Sequence, residues 1–411
     1  MTDRPQDKRL NRVIGAILTV AFLGFVFAAF FTMVITHHRE LQKSVQMTPE
    51  RLASLPEGAG PLDRLSARID GFTATISEIM FLKEDLGYLN SAFQYGLGKR
   101  VINIGSQNMI ALTDGHLYDL ADYRDLRENA REIAALRDTT LSGIPFLFVY
   151  EHPTLYREDQ LPAGYEALDH SAQMADEALD TLRQSGVRVL DSRRVLPESG
   201  IPLDELLMVT DQHWSTLAAI TMAGAIAREV DDMTGAGLDP GRVAPDALQS
   251  QVHPALFMGK YGQRLGTALV RPDDITEYWP KYPTALTRRT LRGKNEETVS
   301  GSWREAMTRF DRLDPEPGKT WNTYAYTYYG QVESYDIMEN PDAPDITLML
   351  LKDSYSAPIG RFLSLMARRV VAVDLRRDSR SLEEWVAEYR PDVCVMAYSL
   401  QMLRDDEYRF E

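Results

Sequence analysis

The sequence predicts an α/β protein: a mostly parallel sheet with helices on both faces, an irregular insertion, and one N-terminal transmembrane helix. Three observations predict it. Short apolar runs of strand length alternate with helical patterns through most of the chain, and a 24-residue run near the N-terminus carries no charge. A hydrophobic content of 44% over 411 residues suits the packed core of one large domain or two ordinary ones.

The uncharged run is residues 13–36, VIGAILTVAFLGFVFAAFFTMVIT. As a helix at ~1.5 Å per residue it reaches ~36 Å, enough to cross a hydrocarbon core ~30 Å thick. Arg4, Lys8, Arg9 and Arg12 precede it. The positive-inside bias then places residues 1–12 in the cytoplasm and everything after the span outside it. The stretch is longer than the apolar region of a signal peptide, and no convincing A-x-A site precedes His37-His38-Arg39-Glu40. The expectation is therefore a single-pass anchor in the inner (cytoplasmic) membrane, with the main domain periplasmic or otherwise extracytoplasmic.

Residues 37–70 are polar and contain Pro and Gly, and read as a stalk. The domain proper is then 71–411. Strands are expected at 143–150, 187–192, 346–351, 369–375 and 393–398, each short, β-branched or aromatic, and bounded by turn or charged residues. Helices are expected at 122–138, 170–185, 215–231, 358–368 and 381–389. In 170–185, Met174, Ala178 and Leu182 share one face and Gly186 supplies the stop. Strand–helix–strand order of this kind gives a parallel sheet. The stretch from about 252 to 343 breaks the rhythm: it is rich in Tyr, Trp, Pro and Arg without a long helical period, and reads as an insertion within the domain. Thr323 to Tyr329 is its candidate edge strand.

A net charge of −15 excludes an overall basic surface of the kind nucleic acid needs. The single cysteine, Cys394, excludes an intramolecular disulfide and a cysteine metal cluster; within VCVMAY it reads as a small buried apolar residue.

Two segments carry the chemistry. In LMLLKDSYSAPIGRF, residues 348–362, an apolar strand feeds a polar turn and then a helix starting near Pro358. Ser354 in that turn is either a local cap or a nucleophile, and N–H groups at the helix start are candidates to stabilise an oxyanion. In TDQHWSTLAA, residues 210–219, Asp211 and His213 stand two apart just before a helix, with Ser215 as a plausible N-cap. Residues i and i+2 of an extended segment point the same way. A carboxylate there orients the imidazole Nδ1–H and leaves Nε2 as a base; the same pair alternatively serves only to anchor the helix start. Tyr355 and Tyr398 either line a pocket or pack at strand ends. Arg376, with Arg377, either holds a substrate carboxylate or stays solvated. The aromatic residues Tyr278, Trp279, Tyr282, Trp321, Tyr324 and Tyr326 either stack on sugar rings or belong to the core. A metal held by Asp211, His213 and Asp353 has no further ligand nearby in sequence, and no cofactor is implied.

Asp211-Gln212-His213-Trp214 together with Lys352-Asp353-Ser354-Tyr355 resembles the DHHW proteins, relatives of the SGNH hydrolase-like proteins of alginate O-acetylation. The resemblance extends over NIGSQNMIALTDGHLYDL (103–120), EHPTLYREDQLPAGY (151–165), FMGKYGQRLG (257–266), PDDITEYWPKY (272–282) and VVAVDLR (370–376), so it covers roughly 75–405. It implies an SGNH, flavodoxin-type sheet with Asp211, His213 and Ser354 as a triad; Tyr355, Arg376 and Tyr398 stand beside it as substrate-contact candidates from the residues alone. Gln212 stands where the family name has its first His, and Lys352 where the alginate proteins have Gly. No counterpart of the Gly and Asn that donate to the oxyanion in ordinary SGNH enzymes is located.

The resemblance implies a serine-dependent O-acetyltransferase or esterase acting on an exported polysaccharide or cell-envelope glycan, with a membrane-bound O-acyltransferase as a partner delivering the acyl group. The alternative is a non-catalytic envelope protein of the same fold that binds glycan or a synthesis complex.

Overall fold

The computed structural model describes residues 83–104, 107–152, 158–265, 269–292, 294–308 and 333–404, and before them parts of 20–46 with positions 60, 64, 65, 68 and 69. The apolar run 13–36 lies partly outside the described residues, the stalk mostly so, and Thr323 to Tyr329 wholly so. Among the described residues no helix is long and apolar enough to cross a membrane. The chain divides into two compact units, residues 1–90 and 91–411. The first contributes a helix at His38–Ser44. Everything below concerns the second.

Its strands are β1 (Val101–Ile104), β2 (Gln107–Ala111), β3 (Leu117–Asp119), β4 (Phe146–Glu151), β5 (Arg188–Asp191), β6 (Leu248–Phe257), β7 (Asp273–Pro280), β8 (Leu286–Arg292), β9 (Asn295–Gly301), β10 (Tyr335–Glu339), β11 (Thr347–Lys352), β12 (Arg369–Val373) and β13 (Val393–Ser399). The main helices are α1 (Arg127–Asp138), α2 (Ser171–Gln184), α3 (Thr216–Thr234), α4 (Ala357–Leu363) and α5 (Leu382–Tyr389). An eight-stranded sheet runs in the order β5-β4-β13-β11-β12-β10-β8-β9. From β5 to β12 neighbouring strands are parallel; β10, β8 and β9 are joined to that edge antiparallel. All five expected strands and all five expected helices are present, with ends shifted by a few residues. The stretch expected to be irregular supplies all three antiparallel strands, so the sheet is mixed. Two smaller sheets, β1-β2-β3 and the β6-β7 hairpin, complete the unit.

The parallel strands are apolar at nearly every position because both faces are covered. Along β11, Leu348 and Leu350 point into one core and Met349 and Leu351 into the other. The first core is closed by α3 and α4, the second by α1, α2 and α5. In α2 the expected face is the buried one: Met174, Ala178 and Leu182 have no exposure. Ser215 caps α3, its Oγ accepting the Ala218 N–H at 3.3 Å while donating to the Glu205 carbonyl at 2.7 Å. Ala218, Ala219 and Ala223 then bring α3 close against the sheet.

Charges are buried where the parallel and antiparallel parts meet. Asp336 of β10 and Arg361 of α4, both essentially inaccessible, pair at 2.8 Å. Lys352, equally buried, donates Nζ to the Glu333 carbonyl at 3.3 Å. Burial pulls the Lys352 ammonium below its ordinary pKa, and the charges of Asp374, Asp336 and Glu333 oppose that pull. Removing one partner of a buried pair leaves a charge without compensation. Arg361→Met is therefore expected to lower unfolding free energy by about 3–5 kcal/mol, read from the denaturant midpoint. A loss below about 1 kcal/mol would mean that neighbouring cations take over Asp336.

Candidate active site

The C-terminal ends of the parallel strands form one rim, and the chain turns there carry polar residues: Glu151-His152 after β4, Asp191-Ser192 after β5, Asp353-Ser354 after β11 and Ser399 ending β13. This is where an open α/β sheet leaves a crevice for ligands. The segment that leads into α3 lies across this rim. His213 Nε2 is 2.9 Å from Ser354 Oγ, and the Asp211 carboxylate meets His213 Nδ1 in a very short contact. Asp211 Oδ1 also accepts the His213 backbone N–H at 3.0 Å. The three residues chosen from sequence thus stand in a single line.

Further hydrogen bonds on both sides hold the three residues in place. The Trp214 indole N–H donates to the Tyr355 carbonyl at 3.1 Å, tying the histidine segment to the serine turn. Behind Asp211, the segment Gly259-Lys260-Tyr261-Gly262 wraps the carboxylate. The Lys260 N–H donates to Asp211 Oδ2 at 2.7 Å, the Gly259 N–H to Thr210 Oγ1 at 2.8 Å, and the Gly262 N–H to the Thr210 carbonyl at 2.8 Å. A Cβ at Gly259 would stand 2.6 Å from the Thr210 carbonyl oxygen, and one at Gly262 would stand 2.7 Å from Thr210 Cβ. Asp273, at the start of β7, takes the Val209 and Thr210 N–H groups, both at 2.9 Å. Burial alone would raise the Asp211 pKa. The His213 charge, the hydrogen bonds from its ring and N–H, and the Lys260 N–H together outweigh burial and hold the carboxyl below its ordinary value.

The serine turn is pinned by Asp353. Its Oδ1 accepts the Tyr355 N–H at 2.8 Å and its Oδ2 the Ser399 N–H at 2.9 Å, while its own N–H donates to Ser356 Oγ at 3.1 Å. The Tyr355 N–H, a natural candidate for an oxyanion donor at the start of α4, is thereby committed to Asp353. Tyr355 itself packs its ring 4.5 Å from the His213 ring. It also lines a cavity of about 110 Å³ with Gln212, Tyr118, Tyr261, Ser399 and Arg404. Gln212 and Tyr355 are chain neighbours of His213 and Ser354, so the cavity lies beside that pair. Two expected substrate contacts lie elsewhere. Arg376 closes on Asp374, Nε to Oδ1 and Nη2 to Oδ2, each at 2.8 Å. Tyr398 is buried in the second core. The Tyr278, Trp279 and Tyr282 rings are half-buried against the first core, Trp279 with the Arg304 guanidinium 4.1 Å above it; Trp321, Tyr324 and Tyr326 lie outside the described residues. Among the described residues no cluster of His, Cys, Asp and Glu has the arrangement of a metal site.

Residues 116–297 match the family described as the SGNH hydrolase-like domain of acetyltransferase AlgX. Over those residues the chain is similar to an SGNH hydrolase-like domain. Solved structures of two distant proteins share its fold. A DHHW family protein from Eubacterium siraeum DSM 15702 superposes with a TM-score of 0.55 at 16% identity, over 74% of this chain and 94% of that one. Bacillus cereus PatB1, carrying a sulfonyl adduct, superposes with a TM-score of 0.58 at 14% identity, over 75% of this chain and 100% of that one. No curated protein matches the sequence.

The sequence alone does not mark Gly259, Gly262 and Asp273 as parts of the site, and it offers Asp353 only as a metal-ligand candidate, not as the brace of the serine turn. The first three lay within FMGKYGQRLG and PDDITEYWPKY, quoted above for the resemblance; glycines flanking a short polar segment were the available signal. Gly259→Ala forces the wrapping segment off Asp211 and is expected to lower stability by about 1–3 kcal/mol in thermal unfolding. An unchanged midpoint would show that the segment can move aside without loss.

Proposed function

We propose that the chain is a serine-dependent O-acetyltransferase or acetylesterase acting on an exported polysaccharide or cell-envelope glycan. The observation that carries this reading is the His213 Nε2 to Ser354 Oγ separation of 2.9 Å with Asp211 on the other ring nitrogen. That separation is hydrogen-bond reach for proton transfer. As Ser354 Oγ attacks the acyl carbonyl, Nε2 takes its proton and Asp211 stabilises the imidazolium. The imidazolium returns the proton to the departing oxygen, leaving Ser354 acylated. An incoming glycan hydroxyl, or water, then gives its proton to Nε2, attacks the acyl carbon and releases the serine, which recovers a proton from the imidazolium. The acetyl group follows from the description of the matching family.

The envelope location rests on residues 13–36 as a single-pass anchor with the basic residues 4–12 on the cytoplasmic side. A membrane-bound O-acyltransferase would then supply the acyl group from the same bilayer. A second reading, a glycan-binding envelope protein without turnover, draws on the commitment of the Tyr355 N–H to Asp353.

Purified full-length chain separates the two. Under the catalytic reading, a chromogenic acetyl ester is hydrolysed, and Ser354→Ala and His213→Ala each reduce kcat by on the order of 10³-fold or more. A sulfonyl fluoride should transfer its sulfonyl group to Ser354 Oγ with loss of HF, adding the mass of the reagent less HF to the peptide holding Ser354, as a sulfonyl adduct is present in the PatB1 structure. Equal rates for wild type and both folded variants, with an acceptor glycan present as well as absent, would leave only the binding reading.

A further inference from the structure

Glu151, the last residue of β4, is completely buried, and no N–H or hydroxyl among the described residues donates to either of its carboxyl oxygens. Alternation along β4 turns its side chain toward the α3 side, with Leu147 and Val149. In register it stands opposite Ser399 of β13, whose N–H is held by Asp353. The group that its carboxyl faces is the Asp353 carboxyl itself. Two carboxyl groups buried side by side do not both ionise readily. Burial, and after it the Asp353 charge and contact, raise the Glu151 pKa well above the ordinary carboxyl range.

The other polar groups around Glu151 are engaged elsewhere. His152 shares Nδ1 with Ser192 Oγ at 2.7 Å, and Asp191 is closed by Arg193 at 2.8 Å. Lys352 of β11 reaches Glu333, Tyr355 presents a buried phenol, and α3 has no titratable residue before Arg228.

We propose that Glu151 is a positioning residue for the serine turn: its carboxylic acid O–H donates to Asp353, which in turn fixes the Tyr355 and Ser399 N–H groups and so the placement of Ser354 Oγ. The proton makes the pair a brace. Without it two like charges face each other under the turn.

This rests on the acyl-transfer reading only for its kinetic consequence, so two measurements are needed on the full chain. Glu151→Gln keeps the shape and a neutral N–H donor; Glu151→Leu keeps volume and no donor. In ester hydrolysis the Gln variant should stay within about threefold of wild-type kcat near neutrality and lose an alkaline decline present in the wild type, while the Leu variant falls about tenfold or more in kcat with little change in KM. The second measurement is thermal unfolding against pH in a Ser354→Ala background, with and without Glu151→Gln, which needs no turnover. A raised folded pKa means that the protonated pair contributes fully below the ordinary carboxyl value of 4.5 and that this contribution is lost as pH rises toward the folded value. The stability difference should therefore move in favour of Gln as pH rises. A Gln variant as impaired as Leu, or a stability difference flat with pH, overturns the proposal. If the wild type neither hydrolyses the ester nor transfers its acetyl group to an acceptor glycan, the acyl-transfer reading fails, and the unfolding series still decides whether Glu151 holds its proton against Asp353.

Discussion

An imidazole bonded at both ring nitrogens cannot rotate without breaking a bond, and that constraint organises the site. His213 is held by Asp211 on one side and by Ser354 on the other. Its two partners belong to segments 141 residues apart, so each must be immobilised by its own surroundings. Asp211 is immobilised from behind by the Lys260 N–H, and Thr210 beside it by the Gly259 and Gly262 N–H groups, because two glycines leave the segment room to approach. Ser354 is immobilised from below by Asp353, which gathers N–H groups from its own turn and from the end of β13. The Trp214 indole links the two halves. Small errors at any of these supports would be felt at the imidazole, because side chains in a dense interior transmit displacement rather than absorb it.

Much of this was legible in the sequence. The parallel core was readable because strands buried on both faces are written as unbroken apolar runs, and because the helices between them carry a one-sided apolar pattern. Asp211, His213 and Ser354 were readable because histidine is scarce here, the i, i+2 spacing is directional, and both segments precede helices. What escaped had local signals pointing elsewhere. β9, NEETVSG, is polar because it is the edge strand and mostly meets solvent, while β8, LTRRTLR, buries Arg288 and Thr290 between β9 and β10 and so lacks an apolar signature. Arg376 looked available for a ligand, yet Asp374 two residues earlier closes on it, an arrangement visible only once the turn is formed. Tyr398 is decided by strand parity: one position on from Ala397, its ring enters the second core. Glu151 ended an apolar strand and offered no sign that the neighbouring strand ends would enclose it.

The order of the strands also bears on how the chain acquires this site. The last strand in sequence, β13, occupies the middle of the parallel sheet, between β4 on one side and β11 on the other. Until residues 393–399 arrive, the early strands β4 and β5 and the later pair β11 and β12 have no common neighbour, and Asp353 lacks the Ser399 N–H that fixes it. Pairing over such separations closes large loops and belongs to the late, slow stage of folding. A chain emerging in order from a ribosome therefore lacks the middle of its parallel sheet, and the Ser399 N–H under Asp353, until its final strand is made. The turn that holds Ser354 is thus among the last parts of the fold to gain its full set of hydrogen bonds.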